Sequence, residues 1–415
     1  MRVLHNKTMA LTLAAVCTAA VPIQAYAVYG PGVDNLSVKD EYSRYQWALR
    51  NDGELQYLEI VNKFRYTDPD LAEEIDMANE LGAEAPIEGP DAYEIETTDS
   101  IAGIDINIQP AWKLYDMTIS DRRPVTVALI DTGVDISHPE IKDAIWVNED
   151  EIPDDGIDND NNGFIDDVNG WNFFDDNNQL YSGMEDDHGT HGAGSIAAKR
   201  GNGGMAGIAD DKYVKIMPIK ALGKVLGEDG LGEEEAVIRS IQYAEANGAQ
   251  ICNLSFGTQE YYPRLEQVMR ESNMLFFVSA GNGDEEEMGF NIDEMKDYPS
   301  GFDLDNIVSV ANLMFDGTLE RTSNFGPQNV DIAAPGTYIL SIIPENGYGY
   351  MTGTSMATPI VAGVAAMIYS YRTDFSLHEV KEALMNTARK YPELEGKLVS
   401  GGVVDAYAAM TYKLP

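Results

Sequence analysis

The 415-residue chain predicts an α/β fold of three layers, with a mainly parallel central sheet covered by helices on both faces. Three observations carry that prediction. From about Pro124 onward, apolar runs of strand length alternate with segments of helical pattern. The runs are continuous rather than polar at every second residue, the mark of strands buried on both sides. Acid and turn residues follow the runs, where open α/β sheets collect their chemistry, and Asp131 and Asn282 both stand at such ends.

The elements follow in order. Strand 125–131 reads Val-Thr-Val-Ala-Leu-Ile-Asp and closes on Asp131 before the Thr132-Gly133 turn. A helix rich in small residues is expected over 190–199, entered through His188-Gly189, and then a strand over 215–221. Helix 233–247 opens on three glutamates, which suit a helix start, and stops before Gly248. Strand 249–255, helix 263–272 with Pro263 in its first turn, and strands 275–280 and 306–312 come next. The last two helices are 355–371, built on Val361-Ala362-Gly363-Val364-Ala365-Ala366, and 377–388.

The first hundred residues differ. Arg2 and Lys7, the apolar stretch 9–21 and Ala25-Tyr26-Ala27 have the form of a secretory signal cut after Ala27, so the expected location is outside the cell. Lipid attachment at Cys17 is the alternative, although Val16 before it is larger than the usual small residue. The apolar stretch is short for a membrane span, and no other anchor is expected. Residues 28–102 form a second region, and 103–415 the main domain. Within the second region, 54–100 is acidic. Leu55, Leu58, Val61 and Phe64 predict an amphipathic helix in its first half, and Pro86, Gly89 and Pro90 a linker in its second.

Composition narrows the partners. The formal net charge is −41, two units more negative once Arg2 and Lys7 are gone, which argues against nucleic acid and anionic membranes. It suits peptide or protein substrates, a bound cation, or solubility alone; a monomer is expected. Cys252 is the only cysteine left after the signal, so the core rather than disulfides must hold the chain together. Its apolar neighbours predict a buried, unreactive thiol.

Three motifs carry chemistry. In Gly353-Thr354-Ser355-Met356-Ala357-Thr358-Pro359 a serine stands where a glycine turn meets a helix start, exposing a hydroxyl beside a free N–H. Alone, Ser355 reads equally as a helix cap. Asp131-Thr132-Gly133 ends a strand, and Asp187-His188-Gly189-Thr190-His191-Gly192 sets two histidines at a helix mouth. The chain order Asp131, His188, Ser355 differs from the orders of trypsin-like enzymes and α/β-hydrolases.

On these motifs the chain resembles the subtilisin-like serine peptidases (subtilases, peptidase family S8), over 40–51 and from 103 to about 410. The resemblance implies the subtilisin-like form of the three-layer fold and a serine endopeptidase working through an acyl-enzyme on Ser355. A serine hydroxyl is a poor nucleophile near neutral pH, so His188 takes its proton and later returns it to the leaving amine, with Asp131 orienting the imidazole. The family pattern assigns that role to the first histidine of the pair, and His191 to packing. A metal-binding pair is the rival reading, but no third ligand of fitting spacing follows. His138 and His378 read as structural.

Further roles come only through the resemblance. Asn282 matches the family's oxyanion asparagine. Ser255-Phe256-Gly257 and Gly230-Leu231-Gly232 match the two segments that grip an extended substrate, and Ser279-Ala280-Gly281 one wall of the pocket for the residue before the cut. Asp297, before Tyr298-Pro299, matches the base of that pocket, where a carboxylate would favour lysine or arginine. Residues 40–51 match an N-terminal arm that packs across the catalytic domain. Two departures stand out. The insert at 54–100 replaces the usual close connection, and only about ten residues separate the signal from the arm where many relatives carry a folded inhibitory propeptide. The insert is compatible with that inhibitory role, with an exosite and with a cleavable activation loop. Ile360 stands where relatives usually have histidine after Thr-Pro.

Residues 158–167, Asp-Asn-Asp-Asn-Asn-Gly-Phe-Ile-Asp-Asp, have oxygen side chains at alternate positions, glycine sixth and an apolar residue eighth. That spacing predicts a structural Ca2+ held by Asp158, Asp160, Asn162, the Phe164 carbonyl, Asp166 and Asp167, without the twelfth-position glutamate of an EF-hand. Asp154 and Asp155 are further candidates. The bland alternative is a solvated acidic loop. A second calcium loop is not expected at 200–204, which has few side-chain oxygens.

Two other classes fit the motifs less well. Asp131-Thr132-Gly133 is also an aspartic-peptidase signature, but no second copy appears in a strand context. A calcium-stabilised binding protein would not need Asp131, His188, Asn282 and Ser355 together.

Overall fold

The computed structural model describes residues 27–29, 40–63, 71, 75, 93–118, 121–223, 231–284 and 288–414. They fall into two compact units, one within Met1–Tyr29 and Gln56–Thr98, the other within Gly30–Leu55 and Asp99–Pro415. The smaller unit holds a three-stranded sheet of β1 (Ala27–Tyr29), β2 (Gln56–Asn62) and β3 (Tyr93–Asp99), in that order. Strand β2 pairs antiparallel with β1, Val28 opposite Tyr57. The amphipathic helix expected here is therefore a strand over 56–62. Its three-residue apolar spacing fits a helix face, but Tyr57, Ile60 and Val61 are aromatic or β-branched and favour a pleated surface. Phe64 and the linker with Pro86, Gly89 and Pro90 lie outside the described residues, as does the signal-like segment with Cys17.

The larger unit is built on β4 (Val125–Asp131), β5 (Trp171–Asn172), β6 (Val214–Lys220), β7 (Ile251–Leu254), β8 (Leu275–Ser279), β9 (Ile307–Leu313), β10 (Ile332–Pro335), β13 (Arg389–Lys390) and β14 (Gly402–Val403). Their order across the sheet is β13-β14-β10-β9-β8-β7-β4-β6-β5. Every pairing is parallel except β13 with β14. A separate antiparallel hairpin joins β11 (Ile339–Ile343) to β12 (Gly347–Met351). The helices are α1 (Ile108–Met117), α2 (Asp187–Ala197), α3 (Leu231–Ala246), α4 (Pro263–Glu271), α5 (Thr354–Tyr371), α6 (Leu377–Thr387) and α7 (Ala406–Met410).

Alternate residues of the central strands serve opposite layers. Ala128, Ile130, Met217, Ile219, Leu254, Phe276 and Val278 join Val237, Ile241, Leu265 and Met269 of α3 and α4 in one buried cluster. On the other face lie α2 and α5, and α5 is apolar nearly all round because it runs through the interior, against β7, β8 and β9. This is the three-layer α/β arrangement that the alternation of strands and helices predicts. Cys252 lies in the first cluster, fully buried, and burial raises its thiol pKa. Among the described residues, no helix is long and apolar enough to cross a membrane.

Chain order reverses beside β4, whose neighbours are β6 on one side and β7 on the other. That switch point opens a crevice at the carboxyl ends of the strands. Asp131 is the last residue of β4, and the loops after β7 and β8 begin at Ser255 and Ala280. The arm at 40–51 packs on this same unit: Trp47 Nε1 donates to the Thr337 carbonyl at 2.8 Å and Gln46 Nε2 to Ala206 at 2.9 Å. Ile360 is buried and lines a small cavity of about 10 Å³ with Trp47 and Leu49 of the arm.

Candidate active site

Strand β4 delivers Asp131 to the crevice nearly fully buried, 1% exposed, and helix α2 brings His188 against it. His188 Nδ1 donates to Asp131 Oδ1 at 2.7 Å, and the same oxygen accepts the Thr132 N–H at 2.7 Å. That bond fixes the tautomer, leaving Nε2 as the acceptor on a ring that is 31% exposed. Burial works to lower the His188 pKa, but the Asp131 charge and hydrogen bond outweigh it and the net shift is upward. His191 is the opposite case. It is fully buried, its Nε2 donates to the Ile339 carbonyl at 2.8 Å, and burial pushes its pKa down to about 4. One histidine is partly exposed beside a charged partner, and the other packs. His138 is also buried, stacked edge-on against Tyr348.

Helix α2 begins at Asp187 rather than at 190, so both histidines lie within it. Its start is tied down by a buried ion pair. Lys220 Nζ, at the end of β6, meets Asp186 Oδ1 at 2.5 Å, with the two side chains 3% and 0% exposed. The same ammonium donates to the Thr132 carbonyl. The residues flanking Asp131 and His188 are thus bridged by one lysine. Burial raises the Asp186 pKa against the pull of Lys220.

Ser355 is the second residue of α5, where first-turn N–H groups lack intrahelical acceptors. Before it, Gly353 has φ +153, and a Cβ there would stand 3.4 Å from the Asn282 side chain. The Ser355 hydroxyl donates to the Ser255 carbonyl at 2.8 Å rather than to His188. Ser255 Oγ donates in return to the Ser355 carbonyl at 3.1 Å, and Asn253 Nδ2, fully buried on β7, supports that hydroxyl at 2.9 Å. Asn282 Oδ1 accepts from the Thr354 N–H at 2.8 Å and from its hydroxyl at 2.9 Å. With the oxygen end so engaged, the amide Nδ2 is the end of the side chain left to donate.

The segments expected to form the specificity pocket meet around Asp297. Thr258 and Tyr298 exchange backbone hydrogen bonds at 2.8 and 2.7 Å, which draws the loop after β7 against the Asp297 segment. A Cβ on Gly257 would fall 2.4 Å from Asp297 Oδ1, and one on Gly281 2.8 Å from Oδ2, so glycine at both places admits the carboxylate. Asp297 is 8% exposed, its Oδ1 has no hydrogen-bond partner among the described residues, and burial pushes its pKa up to about 7. Ser279 and Ala280 are buried at the end of β8, and Phe256 packs half-buried on the core. Gly230 lies outside the described residues. Leu231 and Gly232 are already helical, so the extended substrate edge expected at 230–232 is a helix start at those two positions. Glu233, Glu234 and Glu235 follow directly and favour a helix N-terminus there.

In the acidic loop, the carboxylates that lie closest together only partly coincide with those its spacing singles out. Carboxylate oxygens of Glu151, Asp160 and Asp167 lie within 4.8 Å of one another. Asp158 accepts instead from the N–H groups of Asn162 and Gly163, and Asp166 from those of Asp155 and Gly156. Asn162 Nδ2 reaches Asp160 and Asp167, both at 3.0 Å. The apolar anchor is Phe164, packed on Trp171, Phe173 and Tyr243; Ile165, the eighth residue, is half exposed. At 200–204 the N–H groups of Gly201 and Gly203 take the Asp40 carboxylate, at 2.7 and 2.8 Å.

Asn253, Asn324 and the Lys220–Asp186 pair were not anticipated as site residues. A polar side chain within or beside an apolar run is the signal that could have found Asn253 and Lys220.

Residues 122–403 match the model of the subtilase family. The chain is 33% identical over 313 residues to "Subtilisin-like protease 1" of Plasmodium vivax, covering 71% of this chain and 48% of that one. It is 34% identical over 263 residues to the "Major intracellular serine protease" of Bacillus subtilis, covering 62% and 72%. Among solved structures, fervidolysin from Fervidobacterium pennivorans, a keratinolytic enzyme related to subtilisin, superposes with a TM-score of 0.57 at 26% identity over 74% of this chain and 44% of that one. The chain spans about half the length of the Plasmodium relatives it matches.

Proposed function

This chain belongs to the subtilase family, and from its site we propose that it is a serine endopeptidase with Ser355 as nucleophile, His188 as general base and Asp131 as orienter. The observation that carries the reading is the 2.7 Å Asp131–His188 bond in the crevice at whose edge Ser355 and Asn282 stand. Rotation of the Ser355 hydroxyl from the Ser255 carbonyl toward His188 Nε2 begins the reaction. As Oγ bonds to the scissile carbonyl carbon, its proton passes to Nε2. The carbonyl oxygen becomes an oxyanion facing the Ser355 N–H and Asn282 Nδ2. Collapse breaks the C–N bond, and the Nε2 proton leaves with the amine. Water, deprotonated by the same nitrogen, then releases the acyl group. A fluorophosphonate should label the native protein on Ser355, located by peptide mass mapping. An unlabelled native protein would favour the binding-protein reading instead.

Substrate preference follows from Asp297. A buried carboxylate with no cationic partner among the described residues favours lysine or arginine before the cut, and the chain's acidity favours basic peptides generally. Because burial raises its pKa to about 7, the preference should depend on pH. The ratio of kcat/KM for an arginyl over a leucyl peptide should climb as pH rises through about 7, the His188 titration cancelling in the ratio. Asp297→Asn should flatten that climb and reduce the ratio at pH 8 by at least about 30-fold. The stability effect has the opposite sign. A folded-state pKa above the unfolded value gives stability that is complete below about pH 4 and lost as pH rises through about 7. The Asp297→Asn variant should therefore melt higher than the wild type at about pH 8 and equally at about pH 3.5. A preference for large apolar residues in a peptide library would sink the basic-site reading.

The acidic loop is read as a structural calcium site. The donors it offers are all hard oxygens: Glu151, Asp160 and Asp167 lie together, and Asp158, Asn162, Asp166 and the Phe164 carbonyl come from the same loop. Among the described residues, no lysine or arginine pairs with Glu151, Asp160 or Asp167, and clustered carboxylates repel unless neutralised. Bound calcium would supply that neutralisation and no step of the reaction. Chelation should lower the melting temperature by on the order of 10 °C, with Ca2+ but not Mg2+ restoring it and Glu151→Gln weakening the restoration. Equal melting with and without chelator would refute the site. Secretion and a monomeric state complete the proposal, supported by the signal-like N-terminus and the high negative charge.

A further inference from the structure

We propose that Asn324 is a positioning residue that sets the oxyanion donor Asn282; this rests on the oxyanion reading of Asn282 given above. Asn324 belongs to no strand or helix, yet it is fully buried. A buried side-chain amide must satisfy its hydrogen bonds, and this one does so almost wholly on one turn. Nδ2 donates to the Ala280 carbonyl at 3.0 Å, and Oδ1 accepts the Gly283 N–H at 3.1 Å. The Asn324 backbone N–H donates to the Gly281 carbonyl at 3.0 Å. Of the four residues 280–283, the three that flank the oxyanion donor are held by a single asparagine, and Asn282 is left with its side chain to deploy. The second lone pair on Oδ1 accepts the Phe290 N–H at 3.1 Å, which anchors the asparagine from the far side.

The turn needs such a brace. It contains two glycines at positive φ, Gly281 at +98° and Gly283 at +89°, and glycine gives a backbone the most freedom to lose. Position 281 is also shaped by Asn324, since a Cβ there would lie 2.4 Å from its Nδ2. Thr354 holds the Asn282 side chain by its oxygen, and Asn324 holds the backbone on which that side chain is mounted. The two restraints together decide where Asn282 Nδ2 points. An oxyanion donor works only when it meets the oxygen of the transition state at hydrogen-bond distance, so a small shift of this turn acts on kcat rather than on binding.

The test is a double-mutant cycle on a peptide substrate with Asn282→Ala, Asn324→Ala and the pair. Asn282→Ala should lower kcat by about 10²–10³-fold. Asn324→Ala should lower kcat by roughly 10–100-fold with KM within about twofold, and by less than about threefold once Asn282 is already alanine. Should Asn324→Ala fail to fold, Asn324→Ser, small and uncharged, leaves a hydroxyl for part of the turn and carries the same cycle with a smaller drop. Full persistence of the Asn324 loss in the Asn282→Ala background, or a loss confined to KM, would overturn the proposal. An Asn282→Ala enzyme with unchanged kcat would instead overturn the oxyanion reading on which it rests.

Discussion

Ser355→Ala should reduce kcat on a peptide substrate by about 10⁶-fold and abolish fluorophosphonate labelling, with little change in melting temperature. The size follows from the site having one nucleophile and one base acting as a unit. His188→Ala should cost nearly as much alone, and the double variant hardly more than either, because neither residue works without the other. What survives is the catalysis that substrate binding and the oxyanion donors supply by themselves. The stability cost should stay near ~1 kcal/mol, the ordinary net worth of one hydrogen bond. The hydroxyl makes one bond, to the Ser255 carbonyl at 2.8 Å, and Ser355 is only half-buried, so water can replace it. Ser255 keeps its own hydroxyl bonds to Asn253 and to the carbonyl of residue 355. Activity above about 1% of the wild type would place the nucleophile elsewhere.

Much of the candidate site was legible because each of its proposed reacting groups sits in a local motif at the end of a regular element. Strand β4 lies at the bounds read from its apolar run, and the other four expected strands differ by one or two residues at an end. Continuous burial on both faces leaves such runs little ambiguity. Strands β13 and β14 are two residues long, too short to have a period. The hairpin strand β12, Gly-Tyr-Gly-Tyr-Met, has no apolar face to betray it, because it is half-buried along its length. The buried polar side chains around the site escaped for another reason. Asn324 finds Ala280 across 44 positions and Lys220 finds Asp186 across 34, so neither is marked by spacing. In the acidic loop, spacing marked the turn but not which carboxylates lie closest together. Asp158 and Asp166 are occupied with the N–H groups that close the loop, and Glu151, from the preceding segment, stands beside Asp160 and Asp167.

Asp131→Asn should lower kcat/KM roughly 10⁴-fold with the fold intact, and it should also move the pH dependence. Asp131 Oδ1 accepts from both the His188 Nδ1–H and the Thr132 N–H, each at 2.7 Å. An asparagine oxygen can occupy that same position, so the imidazole need not lose its place. What the amide cannot supply is a negative charge facing the imidazolium, in a site where Asp131 is 1% exposed and water screens little. The His188 pKa records this balance: burial lowers it, and Asp131 raises it by more. With the charge gone, burial prevails and the pKa should fall below about 6.5. A general base acts when unprotonated, so activity rises with pH through this pKa. The midpoint of the kcat/KM profile should therefore lie above about 6.5 in the wild type and below it in the variant. The deficit should accordingly be smaller at about pH 5 than at about pH 8, where both enzymes hold a neutral His188 and only the lost stabilisation of the imidazolium counts. A profile that drops in height without shifting would mean that Asp131 does not set the His188 pKa, and that its role is confined to holding the ring.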